Sequence, residues 1–311
     1  MKYALYKLKF LSSVHIGTRE GFRESTDIII HSDTLFSAFC NAFSLLYGAD
    51  ALETLLDRFR SNKIPFLISS TFPYLGNNLY FPVPFNKFSV KKDLKKIQYV
   101  EKSQFEKLLL GKSLEDVIAD KSSIPEIPLH TANTPRLAIN RFNNSPGENF
   151  FFFAELFFPA DSGLFFLVDF KETGFTKTFN AVLQLLSHEG IGGDRTAGKG
   201  HFRIESISEL EIHVPENLNG NVLLSLYYPK KDEFNLLENG YYDIIERKGY
   251  IYSSIGKNLR RKTVRMIVEG SVIPGNPAGE IVDVTPEIFK VHRIERYGLC
   301  FSVPCTLEEK I

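Results

Sequence analysis

Gly190-Ile-Gly-Gly-Asp-Arg-Thr-Ala-Gly-Lys-Gly200 sets five glycines and two cations into 11 residues. Read from Gly193, it nearly spells the phosphate-binding loop G-x-x-x-x-G-K-[ST]. The hydroxyl that would hold magnesium is replaced by Gly200. The surroundings are also reversed, because the stretch follows a helical pattern and leads into a strand, whereas a nucleotide-binding loop needs a strand before it and a helix N-terminus after it. The nearer helix end here is a C-terminus, whose partial negative charge repels phosphate. A nucleotide hydrolase is therefore disfavoured. A flexible backbone that a polyanion can approach remains, with Arg195 and Lys199 as charges. The same spacing also fits a glycine-rich helix cap running into a hairpin.

Before the loop, Phe175, Phe179, Val182 and Leu186 lie at helical spacing, and before them Leu164–Phe170 reads as a strand. After it come strand patterns over 201–213, 222–228, 243–252, 264–270 and 297–303. The N-terminal half opens in the same way. Lys2–Leu11 alternates as a strand, Ser32 is placed to cap a helix, and Leu35, Phe39, Ala42 and Leu46 share one helical face stopped by Gly48. A second helix is expected over 51–59. Apolar runs at 65–70 and 79–83 flank a turn and predict a hairpin. The segment 111–133 has no clear period and is expected to be irregular. Residues 136–142 and 149–158 predict two strands joined by the turn Asn143-Asn144-Ser145-Pro146-Gly147, a projecting hairpin centred on 133–150. Pro159-Ala-Asp-Ser-Gly163 is the best candidate boundary. The expected fold is α+β, with two ferredoxin-like (RRM-like) domains, 1–159 and 160–311, each an antiparallel sheet with helices on one face.

Composition narrows the function. The chain of 311 residues carries 37 Lys plus Arg against 37 Asp plus Glu, so contact with nucleic acid must rest on local clusters. Two such clusters are present. Residues 87–107 hold seven Lys against three acids, and 257–265 hold five cations and no acid, including Arg260-Arg261-Lys262. Either cluster also suits a solvated face or an acidic protein partner. Three cysteines without a CxxC exclude a disulfide framework and a cysteine zinc site. The N-terminus lacks the apolar core of a signal peptide, and no apolar run approaches a membrane span, so a cytoplasmic protein is expected. Phenylalanine is abundant, with 28 residues and no Trp, and ten of them lie between Phe142 and Phe170. Most should be packed in a sheet; exposed ones would offer stacking surfaces.

Ordered along the chain are further pieces: Ser13-Val-His-Ile-Gly17, Ser32-Asp-Thr-Leu-Phe-Ser-Ala38, Phe66-Leu-Ile-Ser-Ser70, Phe72-Pro-Tyr74, Glu269-Gly-Ser-Val272 and Tyr297-Gly-Leu-Cys-Phe301. With the glycine-rich loop, they resemble the RAMP superfamily of CRISPR proteins, and within it the fourth subunits of Csm (type III-A) effector complexes. The resemblance spans nearly the whole chain. It implies a non-enzymatic subunit that holds the 5′ repeat-derived tag of CRISPR RNA. It also implies binding to the large polymerase/nuclease subunit on one side and to a backbone RAMP subunit on the other, with the 133–150 hairpin as a thumb. Gly192, Gly193, Arg195 and Lys199 would clamp tag phosphates. His15 would meet a base or sugar, Arg136 and Arg141 would line the thumb, and Arg260 and Arg261 are further RNA-binding candidates.

Catalysis has one alternative form, a metal-independent processing endoribonuclease using His15 as general acid or base. His188 and His201 flank the loop, but such histidines equally hydrogen-bond backbone or stack. Thr18–Thr26, the stretch matching the loop in which the related backbone subunit carries its catalytic Asp, offers Glu20 and Glu24 and no Asp. Asp33 lies in a helix first turn, where a carboxylate is electrostatically favoured without any catalytic role. No residue spacing suggests a metal site or a cofactor.

Overall fold

The computed structural model describes residues 1–17, 23–87, 91, 94, 96–118, 127, 129–139, 142, 143, 145–214, 219–252 and 259–307. Strand β1 (Lys2–Phe10) leads to helices α1 (Ser32–Tyr47) and α2 (Ala49–Arg60). Strands β2 (Phe66–Ile68), β3 (Phe72–Leu75), β4 (Asn78–Pro82) and β5 (Tyr99–Glu101) follow, then helices α3 (Lys102–Leu109) and α4 (Leu114–Val117). The hairpin strands are β6 (His130–Ile139) and β7 (Pro146–Phe157). After them come β8 (Ser162–Phe170), α5 (Thr176–Glu189) and β9 (Phe202–Glu211).

The main sheet runs β5-β4-β3-β8-β1-β9, with β2 also pairing β8. β1 is central: it pairs antiparallel with β8 (Tyr6 opposite Phe166) and with β9 (Tyr6 opposite Ile207). The expected boundary near residue 159 is therefore crossed by the sheet itself. β1, α1, β2/β3, β8, α5 and β9 make a single β-α-β-β-α-β unit over residues 2–211. The repeated strand–helix pattern marks the two halves of this one unit rather than two domains. The reason is pairing at a distance, since the first strand takes both neighbours from beyond residue 160, and sequence periodicity carries no record of that.

The remainder is built of strands: β10 (Gly220–Leu223), β11 (Ile244–Arg247), β12 (Val264–Ile267), β13 (Val272–Pro274), β14 (Val282–Asp283), β15 (Glu295–Arg296) and β16 (Ser302–Cys305). β13-β10-β16 form one small sheet, and β11-β12 and β14-β15 form pairs. Among the described residues this part contains no α-helix, so the second ferredoxin-like domain is replaced by a β-rich appendage.

The main sheet is covered on both faces. Tyr6, Leu8, Phe166 and Val168 pack under Phe39 of α1 and Phe179 of α5, while Tyr3, Leu5, Phe165 and Leu167 pack against Phe105 of α3 and against Val222 and Val303 of the appendage. This is why Ser162–Val168 is buried without alternation. Most phenylalanines enter these cores, but Phe142, Phe150 and Phe152 are exposed on the hairpin.

Local details differ from expectation. Ser32 does not cap its own helix; its Oγ accepts from Leu226 N at 3.0 Å and so fastens the appendage. Leu46 is exposed on the last turn of α1. The hairpin near residue 76 joins β3 to β4, whereas 66–68 pairs with β8. Within 111–133 a short helix, α4, forms and β6 begins at His130. No helix among the described residues is long and apolar enough to cross a membrane.

A buried ionic cluster joins the two parts. Arg247 grips Asp33 with Nε at 3.0 Å and Nη2 at 2.8 Å, and Arg296 also pairs with Asp33. Burial opposes charge on Asp33, but the two guanidiniums hold its carboxyl well below the usual range. Beside it His31 Nδ1 lies 2.9 Å from Glu269 and Nε2 lies 3.3 Å from Asp27. Burial disfavours the imidazolium, yet Glu269 and Asp27 outweigh it and raise the pKa to about 10. Asp33 thus has a structural partner set.

Candidate nucleic-acid interface

The glycine-rich loop is zipped to the chain that leaves β1. Gly193 N donates to His15 O at 2.9 Å and Gly200 N to Ser13 O at 2.9 Å, and Ile191 N donates back to Gly200 O at 3.0 Å. Two glycines are dictated by this approach. Gly200 has φ +73 and a Cβ there would overlap the Ile191 carbonyl. Gly192 has φ +95 and a Cβ would stand 2.5 Å from His15 O. Part of the glycine pattern therefore serves backbone packing, as the helix-cap reading anticipates, and Gly190 does end α5 with φ 76. The stretch Thr196–Gly198 faces solvent.

The hairpin closes over this loop with one face. In the β6–β7 register Ala132, Thr134 and Arg136 lie opposite Glu155, Phe153 and Phe151. Arg136 pairs with Asp194, and its guanidinium sits 4.7 Å above the Phe153 ring. Asp194 holds the left-handed conformation at φ 61, which Asp tolerates better than most residues. Lys199 Nζ reaches Glu155 Oε1 at 2.6 Å and Ser13 Oγ at 2.9 Å; Ser13 Oγ and Thr134 Oγ1 each donate to Glu155, at 2.7 and 2.6 Å. Burial pushes the Glu155 carboxyl up, but these partners, Lys199 foremost, bring it down to about 2. The loop is clamped to the hairpin by a buried carboxylate.

His15 completes this wall. Its Nδ1 donates to Ala154 O at 2.8 Å, and its ring lies 4.5 Å from Phe153. Arg23 lies 4.9 Å above Phe151. On the other side of the loop, Arg195 lies 4.7 Å above the ring of Tyr252. Tyr250 bridges in register to Arg260, whose guanidinium is 5.7 Å above its ring. Arg261 donates from Nε to Tyr250 O at 2.9 Å, and burial together with repulsion from Arg296 pushes its pKa down to about 10.

The fold thus gathers Gly192, Gly193, Arg195, Lys199, His15 and Arg136 in one place, with Arg260 and Arg261 adjoining through Tyr250 and Tyr252. Arg141 and Glu20 fall outside the described residues. His188 stays on the α5 surface against Gln184, and the His201 ring lies by Gly190. Residues that sequence reasoning missed are Ser13, Thr134, Phe153, Glu155, Asp194, Tyr252 and Arg23. Ser13 lay in a quoted motif, but an isolated Glu155 in a phenylalanine run gives no signal until the hairpin register is known. Among the described residues no three His, Cys, Asp or Glu side chains gather as a metal ion would require.

A family model described as the RAMP superfamily matches residues 7–203, the span that runs from the end of β1 through α1, the hairpin and the glycine-rich loop. The chain belongs to the RAMP superfamily. A second model, the CRISPR Csm4 C-terminal domain, matches residues 216–305 of this RAMP protein, the β-rich appendage. Three curated relatives carry the name CRISPR system Cms protein Csm4. One, from Thermococcus onnurineus (strain NA1), is 29% identical over 90% of this chain and 93% of its own. Another, from Methanocaldococcus jannaschii, is 26% identical over 92% of this chain and 89% of its own. The RAMP chain is also similar to a crystal structure of a Csm1–Csm4 cassette in complex with cA3, at 25% identity, TM-score 0.65 and full coverage of both chains. A Csm3–Csm4 subcomplex of the type III-A CRISPR-Cas interference complex shares the fold, at 21% identity, TM-score 0.65 and 98% and 99% coverage.

Proposed function

We propose that this RAMP protein is the Csm4-type subunit of a type III-A effector complex, and that it binds the 5′ tag of CRISPR RNA without cutting it. The observation that carries the reading is the convergence of loop, hairpin and appendage around Arg195. An exposed loop tip carrying Arg195 meets the exposed Tyr252 ring of the appendage, while Arg136 and Asp194 join the loop to the hairpin, a combination of cation and open ring suited to single-stranded RNA. The relatives in complex with Csm1 and with Csm3 support two protein partners, a large subunit and a backbone RAMP subunit.

Within this reading, Arg195 meets phosphate beside Gly192, the Gly193 N–H being already donated to His15 O, and His15, buried at 9% exposure, has Nε2 left to offer a base or sugar. Lys199 is engaged by Glu155, so a phosphate reaching it competes with a buried carboxylate; its main service is to hold the loop tip in place. Arg136 likewise orders the hairpin against Asp194. The hairpin acts as the thumb between tag and guide.

The purified chain should bind single-stranded repeat-derived RNA and leave it intact over a long incubation with or without a chelator. Cleavage that His15→Ala abolishes would install the processing endoribonuclease instead.

A further inference from the structure

We infer that Tyr250 and Tyr252 form a stacking site for one unpaired nucleobase at the edge of the glycine-rich loop; this rests on the RNA-binding reading and specifies how a base, as distinct from a phosphate, is held. The segment is extended and anchored. Ile251 N donates to Leu259 O at 2.8 Å and Arg261 N to Gly249 O at 2.9 Å. Ile251 is buried at 5% exposure beside Val284, Phe289 and Ile294, so its two neighbours project to the opposite side. There Tyr250 is 46% and Tyr252 66% exposed.

Residues two apart on an extended strand stand about 6.6 Å apart along it. Successive nucleotides of a stacked strand rise about 3.4 Å. The rise between the two residues along the strand is therefore that which one inserted base spans. Each tyrosine already has an arginine over its ring, Arg195 on Tyr252 and Arg260 on Tyr250, so two cations stand beside such a nucleotide. Exposed Lys262 adds to this charge, Arg265 is paired with Glu246 across β11–β12 at 3.6 Å, and 257–265 contain no acid. That sign favours RNA over an apolar protein patch as the occupant. Stacking on both faces tolerates any base, because every base has a π-face.

The test is a cycle on the full-length chain with two probes, a short single-stranded RNA and the same RNA lacking one base at successive positions. Tyr252→Leu should weaken binding of the intact RNA by about 5-fold or more, while Tyr252→Phe stays near wild type. At one position, base removal should cost the wild type a similar factor and cost Tyr252→Leu almost nothing. The salt dependence of Tyr252→Leu should match wild type, since no phosphate contact is lost. Losses that simply multiply at every position, or a Phe variant as weak as Leu, would overturn the stacking site while leaving the loop reading intact. A Tyr252→Leu chain that binds RNA normally but fails to join its protein partners would reassign the tyrosines to a subunit interface. A wild-type chain that binds neither probe would remove the RNA-binding reading and this site with it.

Discussion

Lys199 Nζ lies 2.6 Å from Glu155 Oε1, which ties the end of the glycine-rich loop to the second strand of the hairpin. The pair places loop and hairpin in one rigid unit, and it makes their stability depend on pH.

Glu155 is nearly fully buried, and its carboxyl is held at about 2 against an ordinary 4.5. A depressed carboxyl contributes stability that is complete above about 4.5 and lost as pH falls toward 2. At about 1.4 kcal/mol per unit, the contribution is about 3 kcal/mol. Denaturant unfolding between pH 7 and pH 3 should therefore fall less steeply for Glu155→Gln than for wild type; parallel curves would show that Lys199 and the hydroxyls do not act on this carboxyl.

Arg195 and Lys199 should separate in their effects. Arg195→Ala should flatten the slope of log K against log salt for single-stranded RNA by about 0.7, the value for one phosphate contact. Lys199→Ala, which leaves the buried Glu155 with only Arg136 at 3.9 Å as a cation, should instead lower the unfolding free energy, by less than the roughly 3–5 kcal/mol of a wholly unpaired buried charge. Equal slope changes for the two variants in folded protein would mean that the Lys199–Glu155 pair opens when RNA binds.

Glycines within the loop should differ as sharply. Gly200→Ala drives a Cβ into the Ile191 carbonyl at φ +73, whereas Gly198 at φ +78 has nothing within 4 Å. Gly198→Ala should cost only the left-handed strain of about 1–2 kcal/mol. Gly200→Ala should cost several times that, or prevent folding. Matching thermal midpoints would show that Gly200 does not press on the Ile191 carbonyl.

How far these features were legible in the sequence depends on their range. The faces of α1 and α5, the hairpin and the glycine-rich loop are local patterns, and spacing alone locates them. Lys2–Leu11 was legible as a strand but not as the centre of a sheet, because Tyr6 meets Phe166 and Ile207, and only tertiary pairing reveals that. The second ferredoxin-like domain failed for the same reason. At the site, Arg195 and Lys199 were visible as charges, yet Tyr252 and Glu155 are distant in sequence and of types common anywhere. Asp33 was legible only as a helix first-turn carboxylate, and its partners Arg247 and Arg296 explain its burial better than the helix terminus does.

That cluster yields a stability prediction. Asp33→Ala leaves Arg247 and Arg296 buried without their carboxylate and should cost about 3–5 kcal/mol in denaturant unfolding. His31, raised to about 10, contributes stability that is present below about 6.5 and fades as pH rises toward 10. His31→Gln should flatten that alkaline limb. Wild-type stability in Asp33→Ala would mean that the appendage is held by its apolar contacts alone.

The most direct measurement is a crosslinking map of this chain within an assembled, RNA-loaded effector complex. Crosslinks from the repeat-derived end of the RNA to Gly192–Lys199, Tyr252 and the hairpin face of Arg136 are the expected result. RNA crosslinked wholly to other surfaces, with Thr196–Gly198 open to bulk water, would contradict the account.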